Sequence, residues 1–222
     1  TILCALSGIL ITEAARATAA NNQAHLQRLT KAVIQKTLQL SIFIAAGLLL
    51  YGNLIGTLLD GGALAGYLIR LLAPVVPFIY LEIVLEALLK GMGQQSFSSL
   101  NYLAEYTIRI AIVLVCIPKF GFYGIVLSYY ASNVCGNCFR LWKTCKTARI
   151  RFSFWSDVGF PLFAAALAFQ VPLCGLRLLH GMQFAWICLL PAILIDYALL
   201  KSYGKITAIP LLSKKQHACS SA

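Results

Sequence analysis

Six ionisable side chains lie inside long apolar stretches of the chain, where charged groups are rare. Glu82 and Glu86 are four residues apart, as are Glu105 and Arg109 on the next stretch, so each pair occupies one face of a helix. An ionised side chain at the centre of a membrane helix costs about 2.5 to 3.5 kcal/mol on insertion scales, so it needs a partner or a water-filled cavity. The full set is Arg70, Glu82, Glu86, Glu105, Arg109 and Asp196.

The acidic and basic groups of these two stretches are expected to meet. The stretches are joined by a short loop at residues 91–98, so they must run antiparallel, which brings Glu82, Glu105 and Arg109 to a similar depth. With Glu86, three carboxylates would face one arginine, and at least one carboxyl group is expected to be protonated or hydrated. Two interpretations follow: a proton- or cation-responsive site in a water-filled cavity, or ion pairs that hold two helices together.

Two prolines and one further arginine share the stretch that carries Glu82. Pro74 and Pro77 would kink a helix and free backbone carbonyls, which suits either a hinge that rocks or a static kink for packing. Arg70 lies in the outer half of the same stretch. It could attract an anionic headgroup, or its side chain could extend to the outer surface.

Motifs for catalysis or metal binding are not found in the sequence. Cys135 and Cys138 form a Cys-x-x-Cys inside an apolar helix, without a second pair or a histidine at ligand spacing, so zinc is not expected. Asn133 and Asn137 are better candidates for hydrogen bonds between helices. There is no Ser/His/Asp order, Walker loop or acidic metal motif. We therefore predict no catalytic residues, no metal and no cofactor.

The composition predicts that these groups belong to a membrane-embedded helix bundle. The chain has 222 residues, of which 60% are hydrophobic and 11% are charged, and its mean hydropathy is +0.81. Soluble domains have roughly 25% charged residues. At about 20 apolar residues per crossing, there is room for about seven spans. The predicted all-α, polytopic bundle has spans at residues 1–15, 37–58, 64–90, 99–117, 121–141, 159–179 and 183–203.

The basic residues predict the orientation of the bundle. The net charge of +11 is better explained by loops that face anionic lipid than by nucleic acid. Fourteen of the eighteen Lys and Arg residues fall in one alternate set of connections and only three in the other. Because such residues stay on the cytoplasmic side, we predict a multi-pass protein of a bacterial cytoplasmic membrane, with its C-terminus in the cytoplasm.

Two short motifs resemble a known family of transporters. Residues 85–94, Leu-Glu-Ala-Leu-Leu-Lys-Gly-Met-Gly-Gln, resemble a helix that ends in Leu-x-Gly-x-Gly-Lys/Gln. Residues 117–124 resemble an outer turn of the form Ile-Pro-Lys/Arg-Phe-Gly-Ile-x-Gly. Together they resemble the polysaccharide biosynthesis C-terminal domain of the multidrug/oligosaccharidyl-lipid/polysaccharide exporter superfamily. The likeness is closest to its oligosaccharide flippases and to proteins similar to stage V sporulation protein B.

The resemblance implies a fold and a division of the chain. The family has two six-helix lobes around a cavity that opens alternately to either side, and this branch adds two C-terminal helices. Residues 1–143 would be transport helices of the C-terminal lobe of this MATE-like or lipid-flippase-like fold, and the N-terminal lobe would be missing. The rest would be a basic interfacial linker at 144–158, a helix hairpin at 159–205 and a cytoplasmic tail at 206–222.

The same resemblance implies a function. The chain would be the C-terminal half of a flippase that moves lipid-linked oligosaccharide or polysaccharide precursors for cell-envelope synthesis, and Arg70 and Arg109 would be its available intramembrane cations. The acidic cluster supports an alternative, a MATE-type antiporter of drugs coupled to protons or sodium. A membrane-embedded transferase of the envelope and a scaffold without transport activity are further alternatives. Expected partners are the lipid-linked saccharide, membrane lipids and the missing lobe, and not nucleic acid.

Overall fold

The computed structural model describes residues 2–59, 62–150, 158–159 and 161–165, and every regular element in these ranges is helical. The chain divides into two units, Thr1–Asp157 and Val158–Ala222. In the second unit the described residues 161–165 are α-helical. The first unit contains α1 (Ile2–Ala19), α2 (Gln23–Leu58), α3 (Gly62–Leu72), a short 3₁₀ helix (Ala73–Val75), α4 (Val76–Gly91), α5 (Gln95–Phe120) and α6 (Phe122–Ala148).

Three helical segments in the described ranges are long and apolar enough to cross a membrane: Gln23–Leu58, Gly62–Gly91 and Gln95–Phe120. They contain the predicted spans at 37–58, 64–90 and 99–117, and the all-helical membrane character predicted from the sequence is confirmed to this extent. The predicted span at 121–141 lies in α6, which is helical but carries basic residues towards its end. The described residues include only 159 and 161–165 of the predicted hairpin at 159–205. The predicted tail at 206–222 lies outside them.

The second helix is much longer than the predicted span at 37–58. The connection expected between residues 15 and 37 is a turn of three residues, Ala20 to Asn22, because α2 begins at Gln23. The side chain of Asn22 accepts a hydrogen bond from the backbone N–H of His25 (3.0 Å), which caps the new helix. The basic residues after this turn therefore lie on the first turns of α2, not in a loop.

Two tight turns with glycine at positive φ place α5 between its neighbours. After α4, Gly93 has φ +72° and the N–H of Gln94 donates to the carbonyl of Leu89 (2.9 Å), which ends the helix in a Schellman motif. Gly121 joins α5 to α6 with φ +54° and ψ −127°, a conformation open only to glycine at no steric cost. The loop predicted between α4 and α5 at residues 91–98 is therefore a shorter turn at residues 92–94.

Glycines bring α2 and α3 into close contact. A Cβ atom on Gly56 would lie 2.6 Å from the Cα atom of Gly66, and one on Gly66 would lie 2.7 Å from the Cα atom of Asn53. Both glycines are the last members of Gly-x-x-x-Gly sequences, which let helix backbones approach closely in membranes. The helix pair thus forms one wall of the unit.

Helix α4 is at the centre of the first unit. It packs against α1, α2 and α6, and its final turns from Val84 to Leu89 are buried. The apolar residues Leu85, Leu88 and Leu89 are fully buried, so they form much of the core. Because α5 and α6 pack against each other and α6 also packs against α4, charged side chains on these three helices can meet.

Candidate functional site

Arg140, on α6, is the centre of a cluster of charged side chains and is itself fully buried. Its guanidinium nitrogens lie 3.3 Å from Glu82 Oε1, 3.8 Å from Glu86 Oε2 and 2.9 Å from Glu105 Oε2. The ring of Tyr102 covers the guanidinium, with 4.4 Å between Cζ and the ring centroid, which adds a cation–π contact. One arginine therefore joins carboxylates from two helices, α4 and α5.

Two further cations extend this cluster in opposite directions. Lys90 Nζ lies 2.9 Å from Glu86 Oε1, and Arg109 Nη2 lies 3.2 Å from Glu105 Oε1. Side-chain exposure rises from 0% at Arg140 to 25% at Arg109 and 46% at Lys90, so the centre is closed and the two ends are accessible. We call this set the ion network: Glu82, Glu86, Lys90, Glu105, Arg109 and Arg140.

The structure corrects the expectation that three carboxylates face Arg109 alone. Arg109 contacts Glu105, whereas Arg140 contacts all three carboxylates and Lys90 contacts Glu86. Three cations match three carboxylates, so the fully ionised network is neutral, and charge balance does not require a protonated carboxyl group. For the carboxylates, this geometry favours the interpretation that ion pairs hold the helices together.

Arg140 was not predicted as a site residue. It stands at the end of the predicted span 121–141 and close before Lys143, so by its position it is one of the fourteen basic residues assigned to connections. The sequence does contain a signal that identifies it. Asn133, Asn137, Arg140 and Thr144 recur at intervals of four and three residues, so they lie on one helix face, and all four are buried.

Gly136 provides the space in which the ion network forms. A Cβ atom at this position would lie 2.8 Å from Glu105 Cδ and 3.0 Å from Arg140 Nη1. The Gly136 carbonyl also accepts a hydrogen bond from Asn101 Nδ2 (3.3 Å), which ties α5 to α6 at the same level. The lack of a side chain at residue 136 therefore allows Glu105 to reach Arg140.

Arg109 is held in a defined orientation at its end of the network. Its Nε donates a hydrogen bond to Ser132 Oγ (2.9 Å) and its Nη2 donates to Glu105 (3.2 Å). The rings of Tyr106 and Tyr129 lie 5.2 Å and 4.9 Å from its Cζ. Ring contacts on a guanidinium leave its edge available for hydrogen bonds, and planar N–H groups suit phosphate or carboxylate oxygens.

A cavity of about 620 Å³ lies beside Arg109. Its walls come from α2, α3, the 3₁₀ helix, α4, α5 and α6, and they are almost entirely apolar, with residues such as Leu48, Ile79 and Val113. Arg109 is the one charged side chain among the described lining residues, and none of the three carboxylates lines the cavity. In this cavity a guanidinium, and not a carboxylate, is the charged group among the described lining residues.

The two prolines interrupt the segment Gly62–Gly91 as predicted. Side chains of α6 donate hydrogen bonds to backbone carbonyls before and after this break. Pro74 lies in the 3₁₀ helix and Pro77 in the first turn of α4. The Tyr130 hydroxyl donates to the carbonyl of Leu71 (2.6 Å), before the break. Asn137 Nδ2 donates to the carbonyl of Phe78 (3.0 Å), after it, which confirms the predicted bond between helices. These bonds favour a static kink over a hinge that rocks.

Asn133, the other asparagine predicted to bond between helices, has a different partner. Its Nδ2 donates to the carbonyl of Tyr129 within α6 (2.8 Å). It remains buried, and the carbonyl of Asn133 in turn accepts a bond from Asn137 Nδ2 (2.9 Å). Asn133 thus supports the residue that reaches α4.

Arg70 does not join the ion network. It is exposed on α3, and its side-chain stem packs beside Gly52 of α2, where an added Cβ would lie 2.7 Å from Arg70 Cγ. Cys135 and Cys138 are free thiols, and within the described ranges no group of histidine, cysteine and acidic residues could hold a metal ion. The structure therefore brings together Glu82, Glu86, Glu105 and Arg109 of the predicted site and leaves Arg70 apart.

Comparison of this chain with protein-family models, with curated proteins and with solved structures gives no match.

Proposed function

We propose that this chain is the C-terminal half of a membrane flippase that moves lipid-linked saccharide precursors, and that the cavity beside Arg109 receives the anionic group of the substrate. The observation that carries the proposal is the cavity itself: about 620 Å³ of apolar space in which Arg109 is the one charged residue of the described lining. A polyprenyl pyrophosphate has the complementary form, a long apolar chain that ends in an anion. We propose that a second lobe, which alternating access requires, belongs to the same polypeptide.

The ion network makes Arg109 available to such an anion. Glu105 is shared by two cations, with Arg140 Nη1 at 2.9 Å and Arg109 Nη2 at 3.2 Å. If a phosphate binds Arg109, Glu105 keeps its ion pair with Arg140, so the Glu105 carboxylate is not left buried without a counter-charge. A buried charge without a partner would cost several kcal/mol, and its avoidance lowers the free-energy cost of substrate binding.

The test is translocation by the full-length protein in liposomes. A fluorescent lipid-linked oligosaccharide is incorporated in both leaflets, and a membrane-impermeant reductant added outside bleaches the molecules that reach the outer leaflet. We expect Arg109→Gln to slow this transfer at least tenfold, since hydrogen bonds to a charged group contribute about 1.5 to 3 kcal/mol. Lys119→Gln, which removes an exposed cation at the C-terminal end of α5, is the matched control and should transfer at the unmodified rate.

Equal rates in vesicles with and without the protein, or an unchanged rate for Arg109→Gln, would contradict the proposal. One observation supports a second candidate, the cation-coupled drug antiporter: the Glu82 side chain is 19% exposed and forms its ion pair with Arg140. In the same liposomes this alternative predicts efflux of a cationic dye driven by a proton or sodium gradient, and loss of that efflux in Glu82→Gln.

A further inference from the structure

A second apolar groove lies on another face of the unit, between α1, α2 and α4, and its volume is about 310 Å³. Val33, Lys36, Thr37 and Leu40 line it from α2 at intervals of three and four residues, which is one helix face. The opposite wall comes from α4 and α1 and consists of Tyr80, Val84 and Leu10. Lys36 is the one charged residue among the described lining residues.

The position of Lys36 along α2 marks the level at which the apolar part of the helix begins. Residues 37–58 contain no charged side chain, whereas Arg28 and Lys31 lie on the turns before Lys36. The helix has 36 residues, so at 1.5 Å per residue it is about 54 Å long, well beyond the roughly 30 Å of a hydrocarbon core. Its basic first turns therefore lie outside the core, and Lys36 lies at the boundary with the headgroups.

Charge complementarity identifies the occupant of this groove. Lys36 is exposed, and no carboxylate of the described residues forms an ion pair with it. From Lys36 the groove continues along the side chains of Leu40, Tyr80 and Val84, so its walls are largely apolar. The Lys36 ammonium lies at the level of the headgroups, next to an apolar groove. This arrangement suits a lipid whose phosphate is not neutralised by a positive charge of its own and whose acyl chain can enter the groove.

We infer that the groove of α1, α2 and α4 binds one anionic phospholipid, with its phosphate at Lys36 and an acyl chain between Leu40 and Tyr80. This site is separate from the cavity beside Arg109 and does not depend on the proposed transport activity.

Lipid binding is measured on the full chain in nanodiscs by native mass spectrometry, with phosphatidylglycerol and phosphatidylcholine as probes. We expect one phosphatidylglycerol to be retained with at least fivefold preference over phosphatidylcholine. Lys36→Gln should reduce that preference to below twofold, whereas Lys36→Arg should keep it. Lys31→Gln is the matched control, because it removes an exposed charge from the same helix without lining the groove, and it should keep the preference within twofold.

The location is tested with a phosphatidylglycerol that carries a photoreactive group in its acyl chain. Adducts on the α4 peptide that contains Tyr80 and Val84 are expected, and Leu40→Trp, which fills the groove, should abolish them. Equal retention of both lipids, equal losses for Lys36→Gln and Lys31→Gln, adducts spread evenly over the helices, or a second copy of the chain seated on this face would each overturn the inference.

Discussion

Replacement of Arg140 by methionine is the sharpest test of the ion network. Methionine keeps much of the volume of the arginine stem and removes its charge. The variant leaves Glu82, Glu86 and Glu105 with only Lys90 and Arg109, both at the accessible ends of the network. Two cations would then face three carboxylates, so the network would carry a net negative charge at its closed centre.

The expected loss follows from the burial of the pairs that break. Arg140 is 0% exposed and the Glu105 side chain is 3% exposed, so solvent screens their interaction very little. Removal of one partner from a buried ion pair costs about 3 to 5 kcal/mol, and we expect Arg140→Met to lower the free energy of unfolding by that amount. Arg140→Lys should lose less but not recover fully, because a compact ammonium cannot contact three carboxylates from one position.

The free energy of unfolding is measured in mixed micelles by titration with a denaturing detergent, with far-UV circular dichroism as the signal. Lys119→Gln, an exposed change at the end of α5, should stay within about 0.5 kcal/mol of the unmodified chain. The double variant Arg140→Met with Glu82→Gln restores neutrality and leaves the Lys90–Glu86 and Arg109–Glu105 pairs in place, and we expect it to be more stable than Arg140→Met alone by about 1 to 3 kcal/mol.

Two results would refute this reasoning. A free energy of unfolding for Arg140→Met within 1 kcal/mol of the unmodified chain would mean that the guanidinium does not hold α4, α5 and α6 together. A double variant no more stable than Arg140→Met would mean that the loss comes from packing and not from an unpaired carboxylate. Both measurements concern folding only, so they do not depend on the substrate.

Two further predictions concern the residues around the network. Gly136→Ala should destabilise the chain by about 1 to 3 kcal/mol because its Cβ meets Glu105 Cδ at 2.8 Å, whereas Gly8→Ala, with nothing within 4 Å, should not; comparable losses in the same detergent titration would contradict this. Tyr130→Phe removes the hydrogen bond to the Leu71 carbonyl and should cost about 1 kcal/mol, with faster amide hydrogen exchange around the 3₁₀ helix; unchanged exchange there would show that the bond does not stabilise the break.

Helical periodicity was sufficient to predict much of what positions the site. The spacing of Glu82 and Glu86 and of Glu105 and Arg109 placed each pair on one face, and the glycines after residue 90 predicted the hairpin that brings the two faces together. The proline break followed from the lack of a backbone N–H at Pro74. Each of these features depends on residues that are close together in the sequence, so it can be predicted from one sequence alone.

The central cation and the long α2 could not be predicted in the same way. A basic residue at the end of an apolar stretch is ordinarily interfacial, so the burial of Arg140 emerges only when α4 and α5 supply carboxylates around it. Arg28 and Lys31 lie between the predicted spans at 1–15 and 37–58, and their charge favours a connection there because charge marks the edge of the hydrocarbon. A helix can continue through that edge into water, as α2 does.

Positive and negative side chains alternate along the ion network, and this restricts which amino-acid substitutions the network tolerates. From Lys90 through Glu86, Arg140 and Glu105 to Arg109, each charge stands beside the opposite one, and Glu82 joins at the middle. A single substitution of one of these residues by a neutral one gives the buried network a net charge. The loss of one acid together with one base leaves its net charge at zero. In related sequences we therefore expect these positions to be exchanged in opposite-sign pairs, and an arginine and a glutamate that disappear together would identify the contact without any coordinates.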